Sequence, residues 1–458
     1  MTRTLTPELD AGVLERLQAY AREFRPLFQR IDQYLQGRIY LHGLLLDGER
    51  KSIEPMSRRV PEGNEQRLQQ FINQSPWEAG AVLRAYRARM AGAFADAAGR
   101  IVIDDTGFPK QGQHSVGVAR QYSGTLGKRA NCQVAVSLHY ATDQDDYPLA
   151  LRLYLPETWT SAPERLDRGY VPEAERAFKT KWQIALELLD SVRAEGLPHR
   201  LVLADAGYGA VGEFRDGLEA RGEAYLVGLL GEEVVWTAPP IWGRPPATAG
   251  RGRPGTRRYR SAESPPPVPI RQLAETLERT RVRWREGTKG WLEAEFAWLR
   301  VWPAHRWQAG VRAGAIPDPA LSARWLLVEW RRDGTVKYAL SNLPAGTPLE
   351  QAVAGWKERW PIERGYEQLK DQLGLDHFEG RSWNGFHHHA TMTFLAYGFL
   401  ALERRRVQDT PPPTGVPPGG PPPGKARRGA LACRQSAARS SGTSTSLAGS
   451  PAPPATVT

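Results

Sequence analysis

Two short apolar runs in this chain end in aspartate. "RIVIDD" runs from Arg100 into Asp104 and Asp105, and "RLVLAD" carries Leu201, Leu203 and Ala204 into Asp205. Each reads as a buried strand whose last residue is a carboxylate. A charge that loses water must be paired or must hold a cation, so such strands belong where a sheet meets a site. The segments around them narrow the fold further. "HSVGVARQYSG" and "NCQVAVSLHYATDQDDYPLALRLYLP" read as further strands, "AFKTKWQIALELLDSVRAEG" as an amphipathic helix, "VGEFRDGLEARG" as a short helix and "AYLVGLL" as another strand. Strands first, then helix, strand, helix, strand, make a mixed α/β layer arrangement.

The flanking regions differ. Residues 1–97 read as helical: "GVLERLQAYAREFRPLFQRIDQYLQG" repeats apolar residues at three- and four-residue spacing, and "NQSPWEAGAVLRAYRARM" offers Ser75 as N-cap with Pro76 at the first helical position. Residues 98–231 hold the strands above. From 232 to 346 a Pro/Gly/Arg-rich arm precedes antiparallel hairpins, "RRDGTVKY" carrying the Asp-Gly turn. Residues 347–408 return to helix, in "TPLEQAVAGWKERWPIERGYEQLKDQLGL" and again over about His388–Arg404. Residues 409–458 form a Pro-rich tail that cannot bury a core and is expected to be disordered.

The chain carries a formal net charge of +11, which favours a polyanionic partner, nucleic acid first. Two cysteines, Cys132 and Cys433, are too few for a disulfide framework or a zinc site. No signal peptide is evident at the start, and no apolar run approaches the roughly 18 residues needed to span a bilayer. A cytoplasmic, nucleoid-associated protein without a membrane partner is expected.

Acids at strand ends suit a hard cation such as Mg²⁺, and a third acid from a helix would complete the set. The long C-terminal helix offers Glu363 and Glu367. Trp356, Arg359, Glu363 and Lys370 are spaced three, four and seven residues apart, which puts them on one helical face. An acid between two cations suits a metal and a phosphate bound together. Each acid alone would read as a surface or capping carboxylate. Asp104 and Asp105, as adjacent strand residues, point to opposite faces, so one of them is the ligand; Glu363 has its rival in Glu367 one turn on. "RGRPGTRR" reads either as a solvated loop or as an arm whose Arg251, Arg253, Arg257 and Arg258 contact DNA, Arg253 entering a narrow minor groove. Trp360 reads as core or as a base-stacking residue. His387, His388 and His389 point about 100° apart on a helix and cannot share one ion.

With these residues in place the chain resembles DDE-type insertion-sequence transposases, in the group whose acidic helix reads Tyr, two residues, Arg, three residues, Glu, six residues, Lys, and within it the "seven-hundred-and-one" insertion-sequence family. Arg359, Glu363 and Lys370 match in residue and spacing; "DDT" supplies Asp104 and Thr106, and "ADAGYG" supplies Asp205. "DDTGFPKQGQHSVGVARQYSGTLGK" and "LGLDHFEGRSWNGFHHH" resemble the same family, so that the likeness spans about residues 20–405. Trp356 stands where the group has Tyr, which removes a hydroxyl from a potential phosphate contact. The resemblance implies an RNase H-like α/β fold, a mixed sheet flanked by helices with a β-rich insertion and a helical N-terminal DNA-binding region. It further implies that Asp104, Asp205 and Glu363 hold two Mg²⁺ ions, for which Mn²⁺ can substitute, and that Arg359 and Lys370 hold the scissile strand. The implied partners are double-stranded DNA, as terminal inverted repeats and target, and a second copy in the synaptic complex. The implied activity is metal-dependent cleavage at element ends followed by strand transfer. The alternatives are a decayed DNA-binding relic and an RNase H-like nuclease that cuts without joining.

Overall fold

The computed structural model describes residues 12–243, 259–287, 290–305, 323–359 and 361–409. The Pro-rich tail, Trp360 and the arm residues Arg251, Arg253, Arg257 and Arg258 lie outside the described residues.

Five helices lead the chain: α1 (Val13–Glu23), α2 (Ile31–Leu45), α3 (Ile53–Arg59), α4 (Glu65–Asn73) and α5 (Ala79–Phe94). α5 begins four residues after Ser75, with Glu78 as its N-cap. The reason is Trp77. Its ring is 3% exposed and lies between Phe71, stacked at 5.4 Å, and His388, stacked at 3.8 Å, so the chain at 75–78 stays extended to deliver it. Ser75 Oγ instead accepts a hydrogen bond from Gln33 Nε2 at 3.1 Å.

The sheet begins with β1 (Arg100–Pro109), β2 (Ala119–Ser123), β3 (Lys128–Ala141) and β4 (Asp146–Leu153). Helices α6 (Glu157–Thr160), α7 (Pro163–Arg168) and α8 (Lys181–Ala194) follow, then β5 (Leu201–Ala204), α9 (Ala206–Gly209), α10 (Gly212–Ala220) and β6 (Tyr225–Leu229). Thr180 and Gln183 form a capping box that starts α8, which buries Ile184, Leu188, Leu189 and Val192. β1, β5 and β6 run parallel, β3 pairs antiparallel with β1, and β4 antiparallel with β3. The order β4-β3-β1-β5-β6, three antiparallel strands joined to two parallel ones, is that of an RNase H-like sheet.

Beyond β6 come β7 (Val234–Trp236), β8 (Trp242–Gly243), β9 (Tyr259–Arg260), β10 (Val268–Pro269), α11 (Ile270–Glu275), β11 (Thr280–Gly287), β12 (Gly290–Pro303), β13 (Arg324–Trp330) and β14 (Val336–Ser341). β14 pairs with the core strand β6, and β13 and β12 extend the ladder, giving a sheet of twelve strands among the described residues. The β-rich segment therefore continues the core sheet. Its tryptophans pack there: Trp298 stacks on Trp325 at 4.6 Å, and Arg279 lies 4.7 Å over Trp330, whereas Trp291 is exposed.

The expected long C-terminal helix is broken. α12 (Leu349–Lys357) ends and α13 (Pro361–Glu367) begins at a proline, followed by a π turn at Gln368–Gln372. Pro361 has no N–H for the Lys357 carbonyl, and proline is tolerated only in the first turn of a helix. Trp356, Arg359, Glu363 and Lys370 therefore fall on two helices, a turn and a π turn rather than on one face. The last helix, α14 (Trp383–Asp409), is buried along most of its length against α2, α4, α5 and β4. Its three histidines diverge. His387 Nδ1 bonds the Trp383 carbonyl, His388 sits between the carbonyls of Ile72 and Trp77 at 2.8 Å each, and His389 reaches Tyr40 Oη at 2.7 Å. Burial holds the His387 and His389 imidazoles down to about 4, so they serve as neutral packing groups. No helix among the described residues is long and apolar enough to cross a membrane.

One close approach sets the end of β5. A Cβ on Gly209 would fall inside contact distance of the Gly228 carbonyl oxygen, so α9 lies flat on β6 only because position 209 is glycine. Gly209→Ala should lower the urea midpoint by the equivalent of about 1–3 kcal/mol, and an unchanged midpoint would show that the two segments separate freely.

Candidate active site

The register of the parallel strands places the acids. Ile103 pairs with Ala204, so Asp104 and Asp205 stand level where the two strands part; β5 ends there, whereas β1 runs on to Pro109, so the first acid lies within its strand and not, as the apolar run suggests, at its end. Side chains alternate along a strand. Val102, Leu201 and Leu203 pack with Val353, Trp356 and Ile362 of α12 and α13, whereas Ile101, Ile103, Val202 and Ala204 pack on the other face with α8 and α10. Asp104 and Asp205 thus share the face covered by α12 and α13. Asp105 faces α8, and Lys181 Nζ of that helix reaches its Oδ2 at 2.7 Å.

Asp205 is fixed as the N-cap of α9, its Oδ1 accepting from the backbone N–H of Gly207 at 2.9 Å and of Tyr208 at 3.3 Å. Asp104 is held by Arg359, whose Nη1 lies 3.1 Å from its Oδ2 and whose Nη2 lies 3.8 Å from Glu363 Oε1. Arg359 therefore stands between the strand acid and the helix acid. Its turn is clamped on both sides. Trp356 Nε1 donates to Glu329 of β13 at 2.9 Å and Lys357 pairs with the same carboxylate, while Glu358 takes Arg200 at 2.6 Å and also pairs with Arg100 of β1. Trp356 thus ties the helix to the extended sheet.

Glu363 is exposed, its side chain 62% accessible, and Glu367 is exposed one turn further on. Lys370 is buried elsewhere: its Nζ donates to the Gly107 carbonyl at 2.9 Å and lies over the Phe108 ring, with Asp376 and Asp371 as its charged neighbours. Sequence reasoning missed Lys181, Glu358 and Glu329, and also the Ser137–Tyr366 hydroxyl pair beside Asp104, because their relation to the acids depends on strand register and helix docking.

Burial pushes the Asp104 carboxyl up to about 7. Arg359 opposes this, and the charges of Asp205 and Asp105 add to it. Burial likewise raises Asp205, against Arg359 and two backbone N–H groups and with Asp105 adding to the rise. Two level, desolvated carboxylates that repel each other are the donor chemistry a hard cation satisfies, so this pair fits one. Glu363 stands apart behind Arg359, and among the described residues no three His, Cys, Asp or Glu side chains gather closely enough to hold an ion.

The sequence pattern of the DDE superfamily endonucleases matches residues 23–291, more than half of the chain. The chain belongs to that superfamily. The chain is 30% identical over 238 residues to a "probable transposase for insertion sequence element IS701" of Microchaete diplosiphon, a match that takes in 51% of the chain and 58% of the relative. The chain thus spans less than two thirds of that relative's length. The cryo-EM structure of a piggyBac transposase synaptic complex with hairpin DNA aligns with 89% of the chain and 80% of its own, at 9% identity and a TM-score of 0.31, a similarity too loose to define function.

Proposed function

We propose that this DDE endonuclease is the transposase of an insertion sequence, cutting double-stranded DNA at the element's terminal inverted repeats and joining the freed ends to target DNA. The observation that carries this reading is the level placement of Asp104 and Asp205 on one sheet face beneath Arg359 and Glu363. Asp104, Asp205 and Glu363 would hold divalent cations, Mg²⁺ or Mn²⁺, which supply Lewis acidity for phosphodiester cleavage. Asp205 enters the reaction pre-oriented by its two backbone N–H bonds. Arg359, once Asp104 is compensated, is free to pair a phosphate oxygen in the fork geometry suited to it. The five N-terminal helices are assigned to holding the inverted repeats, and synapsis of two ends calls for a dimer.

Purified protein should nick a duplex carrying the DNA that flanks its gene when Mg²⁺ or Mn²⁺ is present and stop when chelator is added. Asp104→Ala and Glu363→Ala should be inactive, whereas Asp105→Ala and Glu367→Ala should keep measurable cleavage. Full cleavage in chelator would overturn the assignment, and cleavage that never yields joined product would reduce the protein to a nuclease.

A further inference from the structure

One stretch of the chain is left over by this reading. Between Asp105 and Asp143 there is no acidic residue, although the chain has 50 among 458, while Lys110, Arg120, Lys128 and Arg129 all fall there. Most of these cations sit on one projecting element. β2 and the first residues of β3 form a hairpin closed by a short 3₁₀ turn at Gly124–Leu126 and by Gly127, whose φ of 63° is the left-handed conformation a tight reversal needs. Arg120, Lys128 and Arg129 are exposed on it, and none has a carboxylate partner among the described residues. Tyr122 is 60% exposed and Leu126 42% exposed.

The register gives the hairpin a direction. Tyr122 pairs with Arg129 and Arg120 with Asn131, so these four share one face, while Ser123 is buried on the other. β3 then runs without a register shift against β1 to Ser137, the partner of Asp104. Asn131 and Arg129 precede Ser137 by six and eight residues, even numbers, so Arg129 and its neighbour Arg120 lie on the same sheet face as Asp104, whereas Lys128, paired with Ser123, points to the other face at the hairpin tip. At the strand rise, eight residues span roughly 27 Å, about eight base pairs of B-form duplex.

We propose that the hairpin Ala119–Asn131 is a finger that grips the phosphate backbone of duplex DNA about eight base pairs from the bond being cut. The inference rests on the reading of the acids as a DNA-cleaving site and adds where the uncut part of the duplex lies. Charge complementarity selects the occupant. Exposed cations with an exposed aromatic between them and no ion-paired carboxylate among the described residues fit a polyanion, and a rigid continuation of a buried strand holds them in place without ordering cost.

The test uses the full chain with Arg120→Ala, Lys128→Ala and Arg129→Ala combined, and separately Tyr122→Ala. Binding to a fluorescent duplex of the gene-flanking DNA is measured across a salt series, alongside melting temperature and size-exclusion volume. The triple variant should melt like the wild type, bind at least tenfold more weakly at low salt, and show a salt slope shallower by ~1.8, as for the two phosphate contacts of Arg120 and Arg129. Its backbone footprint should lose protection about eight base pairs from the nick. Tyr122→Ala should weaken binding with the slope unchanged. A wild type that binds DNA and a triple variant with the same affinity and slope would overturn the finger and leave the cleavage site standing. A triple variant that changes only the elution volume would make the hairpin a protein interface and overturn the finger too. A wild type that binds no duplex would overturn both readings.

Discussion

Asp104→Asn should abolish cleavage and stabilise the metal-free protein. The activity loss should be at least about a thousandfold, some 4 kcal/mol of barrier, because the amide cannot supply the anionic oxygen that a cation and the Arg359 guanidinium require. The stability gain follows from the raised carboxyl. The fold favours the protonated acid, so ionising it costs stability: the penalty is absent below about pH 4, grows as pH rises, and is complete above about pH 7. At pH 8 the Asn variant, neutral and nearly isosteric, should exceed the wild type by on the order of 3 kcal/mol. At pH 4 the two should unfold together. Mg²⁺ should raise the wild-type melting temperature and leave that of the variant almost unmoved. A variant less stable than the wild type at pH 8 would mean that the Arg359 ion pair outweighs the burial of the charge.

Glu329→Ala should be among the most damaging substitutions outside the acids. Its carboxylate is 1% exposed and takes Lys357, Trp356 Nε1 at 2.9 Å and Arg331 Nε at 2.9 Å. Lys357 lies also 4.3 Å over the Trp284 ring, so the ammonium is desolvated on both sides. Removing one partner of such a group leaves the other buried and unpaired, a loss of about 3–5 kcal/mol, read as a drop in urea midpoint. Cleavage should fall further than the stability change accounts for, since the turn that carries Arg359 hangs from this contact. Trp356→Phe, which removes only the indole N–H, should cost far less, about 1 kcal/mol. Equal losses in the two variants would show that packing, and not the ion pair, holds α12 to the extended sheet.

Glu329 illustrates why part of the site was not legible. Nothing in "ARWLLVEWRRDG" marks one glutamate in an alternating strand as the anchor of a helix 27 residues later. Its meaning depends on β14 pairing with β6, which carries β13 to the flank of α12. Asp105 and Lys181 are a similar case: alternation says that the two adjacent aspartates face apart, but not which helix waits on each side.

What the sequence by itself determined was local and periodic. Apolar runs ending in Asp104 and Asp205, the Asp-Gly hairpin at Asp333–Gly334, and the Thr180–Gln183 start of α8 follow from side-chain alternation and capping, which act over a few residues. The motifs around Asp104, Asp205 and Arg359–Glu363, taken together, were enough to indicate the family, whose sequence pattern matches residues 23–291. The late start of α5 around Trp77, the burial of Lys370 under the Gly107 carbonyl and the continuation of the core sheet through β14 were decided by tertiary structure, whereas the break at Pro361 is local, set by the proline itself. The physical reason is the same in the three tertiary cases: a buried ring, an unpaired carbonyl or an open strand edge takes its partner from a distant part of the chain, and that partner overrides local propensity.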